Sequence, residues 1–124
     1  LKTRWTLTHD LPDGWQALAN GAETSRRSAN GRTRVQFAET PPISTYLFAF
    51  AAGQFRIESG TRNGRTFRIF HRETDDQKVA RNRASLFDLH AASLAWLEQY
   101  TGIPYPFGKF DVLLVPAFQF GGME

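Results

Sequence analysis

The chain has 124 residues, the size of one small domain, and its hydrophobic content of 41%, with eleven Phe and three Trp, is sufficient for a packed core. It contains no cysteine, which excludes disulfides and thiolate metal sites, and no run approaches the ~18 apolar residues of a membrane span. The net charge of +3 is uneven. Residues 1–72 carry eleven Lys and Arg against five Asp and Glu, and residues 73–124 carry four against seven. This change of sign predicts a boundary near Glu73.

Strand patterns occupy the first part of the chain. Apolar and polar residues alternate at Arg4–Thr8 and again at Arg34–Glu39, as in half-buried strands. The run from Thr45 to Gly53 is apolar without alternation and predicts a central strand covered on both faces. Asn63-Gly64 predicts a hairpin turn because both residues tolerate positive φ, and Asn20-Gly21 and Asn30-Gly31 are further turn candidates. Together these patterns predict an antiparallel sheet module.

A helix and a strand follow. Leucines and other apolar residues recur at helical spacing between Asp76 and Tyr100. Asp75 precedes this stretch, where a helix N-terminus favours negative charge, and Gly102 follows it, where a helix C-cap favours glycine. The members of this apolar stripe are Val79, Leu86, Leu89, Leu94, Leu97 and Tyr100. The run Lys109–Pro116 predicts a buried strand whose sheet neighbours are missing from the chain. The predicted fold class is therefore mainly β and antiparallel, followed by one long helix and a strand.

No catalytic machinery is recognisable within the chain from the residues alone. The three histidines, His9, His71 and His90, have neither the four-residue spacing nor the neighbouring carboxylates of a zinc pair on a helix, so we expect each to face solvent without binding metal. The chain also lacks the GxSxG of a nucleophile elbow and the spacing of a phosphate loop. It is thus predicted to contain neither catalytic nor metal-binding residues.

Two binding surfaces are possible alternatives to plain packing. Arginines and phenylalanines along the hairpin could stack nucleic-acid bases, but the alternation favours a solvated sheet face with the aromatics in the core, so we predict no nucleic-acid partner. These residues are Arg56, Arg62, Arg65, Arg68, Arg72, Phe55, Phe67 and Phe70. The tryptophans could line a carbohydrate platform. Core packing is the favoured role of Trp5 and Trp96, and Trp15 stays open.

Three blocks of sequence resemble a known family. They are LPDGWQALANG at Leu11–Gly21, VQFAETPPISTYLFAFAAGQF at Val35–Phe55 and YTGIPYPFGKFDVLLVPAFQFGGME at Tyr100–Glu124. Together they resemble zinc-dependent aminopeptidases of the aminopeptidase N type over nearly the whole chain. The resemblance implies that residues 1–72 are the last part of a saddle-like N-terminal β-domain. Residues 73–124 would begin a thermolysin-like α+β catalytic domain, which is incomplete here.

The resemblance also assigns a site to the end of the chain. Gly121, Gly122, Met123 and Glu124 match the first four positions of the family's Gly-x-Met-Glu-Asn exopeptidase motif. It implies that they bind substrate, with Phe120 and Gln119 as less certain contributors to the pocket for the first side chain. A carboxylate at this position can bind the free α-ammonium of a peptide, and glycines let the peptide backbone approach closely. In the family, the zinc ligands belong to an H-E-x-x-H motif and a further glutamate that follow, outside this sequence.

These expectations describe a segment of a larger zinc metallo-aminopeptidase that acts on peptides with a free N-terminus and is inactive by itself. The alternatives are a non-catalytic β-sandwich binding module and an inactive homologue that acts as a scaffold. For Glu124 the plain alternative is a frayed chain terminus, and for Met123 and Phe120 it is packing alone. We also expect self-association through exposed apolar edges. No targeting signal is visible, so the localisation, cytoplasmic or periplasmic, stays open.

Overall fold

The structure is a computed structural model that describes residues 1–119. The described chain divides into two compact units, one formed by Leu1–Phe55 with residues 117–119, and the other by Arg56–Pro116. Within the described residues, no helix has both the length and the apolar composition needed to cross a membrane.

The first unit consists of short antiparallel strands. A three-stranded sheet has the order β2-β5-β4, and β1 pairs with β6 and β3 with β7. The strands are β1 Lys2–Thr3, β2 Thr8–Pro12, β3 Gln16–Ala19, β4 Glu23–Ala29, β5 Arg32–Phe37, β6 Ile43–Ser44 and β7 Phe50–Gly53. Strand β5 has the predicted alternation, since Thr33, Val35 and Phe37 are buried and the residues between them are exposed. Val35 and Phe37 form a core with Leu11, Ala17 and Ala19.

Two strand predictions in this unit are wrong. In Arg4–Thr8 only Thr8 belongs to a strand. The backbone of Trp5 instead forms two hydrogen bonds with one residue, Thr40. The Trp5 N–H donates to the Thr40 hydroxyl and the Trp5 carbonyl accepts from the Thr40 N–H, both at 3.0 Å. Within Thr45–Gly53 only β7 is a strand, and it is an edge strand with exposed Phe50.

The Thr45–Gly53 run fails as a strand because side chains bind its backbone. Residues Thr45–Leu47 form a 3₁₀ turn, with the Ser44 hydroxyl accepting from the Tyr46 N–H. The Asn20 amide donates to the Leu47 carbonyl at 2.9 Å and accepts from the Ala49 N–H at 2.8 Å. These bonds occupy groups that a continuous strand would use for pairing, and such local competition is typical of Asn and Ser.

The second unit is a hairpin followed by a helix and a parallel strand. Its elements are β8 Arg56–Arg62, β9 Arg65–His71, α1 Asp76–Thr101 and β10 Phe110–Leu113. Strands β8 and β9 are antiparallel, and β10 pairs in parallel with β9, from Phe110 opposite Phe67 to Leu113 opposite Phe70. Phe67 and Ile69 pack against Phe87, Ala91 and Leu94 of the helix. The predicted fold class, mainly antiparallel β with one long helix and a final strand, is confirmed.

Local signals at turns and caps predicted the structure best. The predicted hairpin turns require positive φ angles at both central residues. These angles are 54° at Asn30 and 74° at Gly31, and 52° at Asn63 and 75° at Gly64. Asp75 caps the helix by accepting from the Lys78 N–H, and Gly102 ends it in the left-handed conformation at φ 68°. Asn20-Gly21 is a bend instead, where Gly21 is needed because a Cβ would lie 2.1 Å from the Ala38 carbonyl oxygen.

The helix and β10 also correct the sequence analysis. Strand β10 is shorter than Lys109–Pro116, and it has a sheet neighbour within the chain, β9. Leu89, Leu97 and Tyr100 are exposed instead of buried. Trp96 is also exposed, at 59%, and stacks on Tyr100 with 5.0 Å between ring centroids, so its predicted core role is wrong.

The domain boundary near residue 73 stays a prediction. The compact units separate between Phe55 and Arg56, because the buried face of the hairpin packs on the helix that follows it.

Candidate functional site

The predicted substrate-binding residues lie at the end of the chain. Phe120, Gly121, Gly122, Met123 and Glu124 are outside the described residues, and Gln119 is exposed and irregular. The structure does describe β10 and the residues after it up to Gln119. The Leu114 N–H donates to the Phe70 carbonyl at 2.9 Å, which extends the pairing of β10 with β9 by one residue. Strand β10 thus leads into the predicted substrate-binding residues, and several interactions hold it in place.

A carboxylate in β10 connects this strand to its neighbour. Asp111, whose side chain is 4% exposed, accepts two hydrogen bonds of 2.8 Å from the Arg68 guanidinium and one of 2.6 Å from the Lys109 ammonium. Burial acts to raise the pKa of Asp111, but the bonds from Arg68 and Lys109 outweigh it, so the pKa lies below its ordinary value. This bidentate pair fixes which residues of β9 and β10 face each other.

A second carboxylate connects the helix end to the loop before β10. Glu98 accepts from the Arg65 guanidinium at 2.7 Å and from the Tyr105 N–H at 2.6 Å, and these bonds lower its pKa. The Tyr105 hydroxyl donates to the Lys109 carbonyl at 3.0 Å. Burial and the nearby Asp111 carboxylate raise the pKa of Tyr105. The start of β10 is thus tied to the helix as well as to β9.

Four of the five hairpin arginines, Arg56, Arg62, Arg65 and Arg68, bind carboxylates of their own unit. Arg56 pairs with Asp76 at 2.7 Å and Arg62 pairs with Asp88 at 2.6 Å, in addition to the two pairs already described. Phe67 and Phe70 are buried, as the sequence predicted. This arrangement gives no support to base stacking, and the absence of a nucleic-acid partner stays a prediction.

The histidines differ from the expectation that all three face solvent. His71 is 4% exposed, because it ends the buried side of β9. His9 and His90 are half-buried; His9 packs against Phe37 and Phe50, and His90 Nδ1 lies 2.7 Å from the Leu86 carbonyl.

Residues 1–119 include no group of three or more His, Asp or Glu that could hold a metal ion. The described residues therefore do not fit a zinc site.

The sequence analysis missed a cavity in the second unit. It has a volume of about 680 Å³ and lies between the start of α1, the hairpin and Leu114–Pro116. His71 is part of its lining, with Glu58 and Arg83 beside it. No motif marks these residues, because they come from separate elements and only the parallel pairing of β9 and β10 brings them together.

The comparisons with known proteins agree with the resemblance. No family model matches the chain. It is 31% identical over 124 residues to aminopeptidase M1-C of Oryza sativa subsp. japonica, covering 99% of this chain and 14% of that protein. It is 32% identical over 126 residues to the puromycin-sensitive aminopeptidase of Caenorhabditis elegans, covering 99% of the chain and 13% of the relative. The leucyl aminopeptidase of Saccharolobus solfataricus is 31% identical over 124 residues, which cover 100% of this chain and 15% of that protein.

The chain belongs to the aminopeptidase N type family. It corresponds to only 13–15% of the length of these aminopeptidases, so it spans one segment of the family's full-length proteins. The matched relatives come from a plant, an animal and an archaeon, and each aligns with nearly all of this aminopeptidase segment.

Proposed function

We propose that the full-length protein containing this segment is a zinc-dependent aminopeptidase that removes N-terminal residues from peptides. The observation that carries this proposal is the match to aminopeptidases at 31–32% identity over 99–100% of the chain. The substrate would be a peptide with a free N-terminus. Nucleic acid is not a proposed partner, because Arg56, Arg62, Arg65 and Arg68 are paired with carboxylates.

The segment's proposed contribution is to position the substrate. Glu124 would bind the α-ammonium of the peptide through charge-assisted hydrogen bonds, and Gly121 and Gly122 would let the peptide backbone pair with the chain. Such a site must be held on a rigid element to work. Strand β10, held by Asp111 and by its pairing with β9, is the element that leads to these residues.

The zinc ion itself would be held elsewhere in the full-length protein. Among residues 1–119 no group of three or more His, Asp or Glu could hold a metal ion. The resemblance implies that the ligands belong to an H-E-x-x-H motif and a further glutamate outside residues 1–124. The ion would supply Lewis-acid activation of the scissile carbonyl and of water. We therefore propose that residues 1–124 alone are inactive. A chelator-sensitive turnover of an aminoacyl amide by the pure segment, above a zinc-only blank, would refute this.

The role of Glu124 can be tested in the full-length protein. We expect Glu124→Gln to lower kcat/KM for an aminoacyl substrate by about 10- to 100-fold, because a hydrogen bond to a charged group contributes about 1.5–3 kcal/mol. A peptide with an acetylated N-terminus, which has no ammonium, should be a poor substrate for both proteins. Glu39→Gln is the matched control, since Glu39 is exposed and, within residues 1–119, its ion pair is with Arg4 at the surface. An unchanged kcat/KM in Glu124→Gln would contradict the role.

Self-association of the isolated segment is a separate proposal. Among the described strands β10 pairs only with β9, so its other edge is open, and the exposed Leu114 and Val115 follow it. Open edges with apolar side chains tend to pair with other chains. Light scattering after size exclusion should therefore give a mass that increases with concentration. A constant monomer mass would contradict the proposal.

A further inference from the structure

Two arginines face each other across the β4–β5 hairpin of the first unit. Arg27 of β4 lies directly opposite Arg34 of β5, and both are exposed. Residues opposite each other in an antiparallel pair lie on the same face of the sheet, with Cβ atoms about 4.5–5.5 Å apart. Val35, the next residue of β5, is in the core, so both arginines lie on the opposite, outer face. Like charges placed in this way destabilise a sheet.

No carboxylate of the described residues neutralises this arginine pair. Most arginines within residues 1–119 bind an Asp or Glu side chain. Those that bind none are Arg27, Arg34, Arg72 and Arg81. Asp10 of β2 lies opposite Arg34 on its other side, but it binds Arg32 instead. The Arg32 guanidinium donates to the Asp10 carboxylate at 2.6 Å and to the Asp10 carbonyl at 2.7 Å. Within residues 1–119, the pair therefore carries two positive charges without a counter-charge.

The fold holds the two arginines in a fixed register. Thr33 and Val35, the residues on either side of Arg34, are buried at 3% and 0% exposure. The Thr33 hydroxyl also bonds across the hairpin to the Ser28 hydroxyl at 2.7 Å. A shift of one residue would turn Val35 out of the core, so the register is strongly specified. The two arginines are thus kept at neighbouring positions, as a binding site on a rigid element requires.

The chemistry of this face indicates a small, doubly charged oxyanion as the ligand. A guanidinium is a planar group whose paired N–H donors match two oxygens of one phosphate or carboxylate. A phosphate monoester has close to two negative charges at pH 7 and three free oxygens, so one group can bind both arginines. The other residues of the three strands on this face include no aromatic ring on which a nucleobase could stack. They are Thr8, Asp10, Pro12, Ser25, Ala29, Arg32 and Gln36.

We propose that Arg27 and Arg34 form a binding site for the phosphate group of a small soluble molecule. One phosphate binds both guanidinium groups and removes the repulsion between them. The site belongs to the first unit and uses none of the residues assigned to peptide binding. The inference therefore goes beyond the proposed peptidase function and does not depend on it.

Modification of arginine by phenylglyoxal tests this site in the full-length protein. The reagent attacks accessible guanidinium groups, and the rate at each arginine is measured by mass spectrometry of the proteolytic peptides. Inorganic phosphate at about pH 8, where it is mainly the dianion, is the probe, and sodium chloride keeps the ionic strength constant. Arg72 and Arg81 are the matched controls, because they too are exposed and lack a carboxylate partner within residues 1–119.

Phosphate should protect the two arginines of the pair together. We expect about 10 mM phosphate to slow the modification of Arg27 and Arg34 about tenfold, as for a ligand at ten times a Kd of about 1 mM. The rates at Arg72 and Arg81 should change less than about twofold, because ionic strength is constant. Since one phosphate binds both arginines, both must be protected with the same midpoint concentration. Different midpoints, or protection of only one of the two, would overturn the proposal.

Two substitutions test whether the arginines act together. Arg34→Gln removes one guanidinium and should raise the phosphate concentration that protects Arg27 about tenfold or more, the effect of losing a hydrogen bond to a charged group. Arg26→Gln is the matched control. Arg26 precedes Arg27 in the chain but lies opposite Val35 on the other face, where it binds the Glu23 carboxylate at 2.9 Å. It should leave the midpoint unchanged within about twofold. An equally small change in Arg34→Gln would refute a shared site.

Other results would identify other ligands or none, and each of them contradicts the proposal. Equal slowing at Arg72 and Arg81 would mean that phosphate acts only through the general ion atmosphere. Equal protection by acetate would mean that the pair does not require a doubly charged group. Protection by vesicles containing phosphatidic acid, without protection by inorganic phosphate, would identify a membrane lipid as the source. Arginines 27 and 34 that stay unmodified without phosphate would mean that the full-length protein itself covers the pair.

Discussion

Replacing Asp111 tests how the start of the candidate site is held. The Asp111→Asn substitution keeps the size of the side chain but removes the charge that binds Arg68 and Lys109. Breaking a fully buried pair costs about 3–5 kcal/mol, but Arg68 and Lys109 are 32% and 20% exposed and can reach water, so we expect the free energy of unfolding to fall by about 2 kcal/mol. Urea denaturation followed by far-UV circular dichroism measures this loss, because α1 lies in the same unit.

The control for this prediction is an exposed pair of similar geometry. Asp88 binds Arg62 at 2.6 Å, but its side chain is 64% exposed, so Asp88→Asn should cost less than about 1 kcal/mol. Equal losses in the Asp111→Asn and Asp88→Asn variants would refute the reasoning that burial makes the Asp111 pair strong.

The pH dependence gives Asp111 a second, independent test. Its pKa is lowered in the folded state, so its stabilisation is complete above the unfolded pKa of about 3.9 and is lost as the pH falls through the lower folded value. The difference in unfolding free energy between the natural chain and Asp111→Asn should therefore be constant near pH 7 and shrink toward zero below about pH 4. If the difference in unfolding free energy is the same near pH 7 and below about pH 4, the Asp111 charge is not the cause of the stabilisation.

The remaining predictions concern the second unit. Asp75→Ala removes the helix cap and should lower the free energy of unfolding by about 1 kcal/mol in urea titrations, and no loss would contradict the capping role. Gly60→Ala would place a Cβ 2.7–2.9 Å from the buried Phe87 ring and should cost about 1–3 kcal/mol by the same assay; a neutral result would mean that the ring can move aside. The bonds from Lys78 and the backbone lower the pKa of Glu73 to about 2. Lys78→Ala should raise it toward about 4.3 in an NMR titration, and an unchanged midpoint would disprove the part played by Lys78.

The sequence predicted features that depend on neighbouring residues. The Asn63-Gly64 turn requires two positive φ angles, and only a few residue types adopt them easily. The helix ends at Asp75 and Gly102 for similarly local reasons, since a carboxylate can cap the first turn and glycine can adopt the left-handed conformation. The family could also be predicted, because each of its three motifs is an unbroken run of residues in the sequence.

Features that depend on distant residues could not be predicted in this way. The Asn20 side chain interrupts the apolar run from Thr45 to Gly53 from 27 and 29 residues away. Trp96 lies beside an apolar stripe in the sequence, but only the position of β9 decides which side of the helix is covered. The burial of His71 likewise depends on the packing of the whole second unit. Periodicity gives the presence of a helix or strand more reliably than the face it buries.

The parallel pairing of β9 with β10 has a consequence for the order of folding. The β8–β9 hairpin closes through a two-residue turn, whereas Arg68 and Asp111 are 43 residues apart in the chain. Closing a longer loop costs more chain entropy, and contacts between distant residues slow folding. We therefore expect the hairpin to form first and β10 to dock last, once the helix is in place. During synthesis on the ribosome, the segment that leads to Glu124 would be the last part of this unit to become ordered.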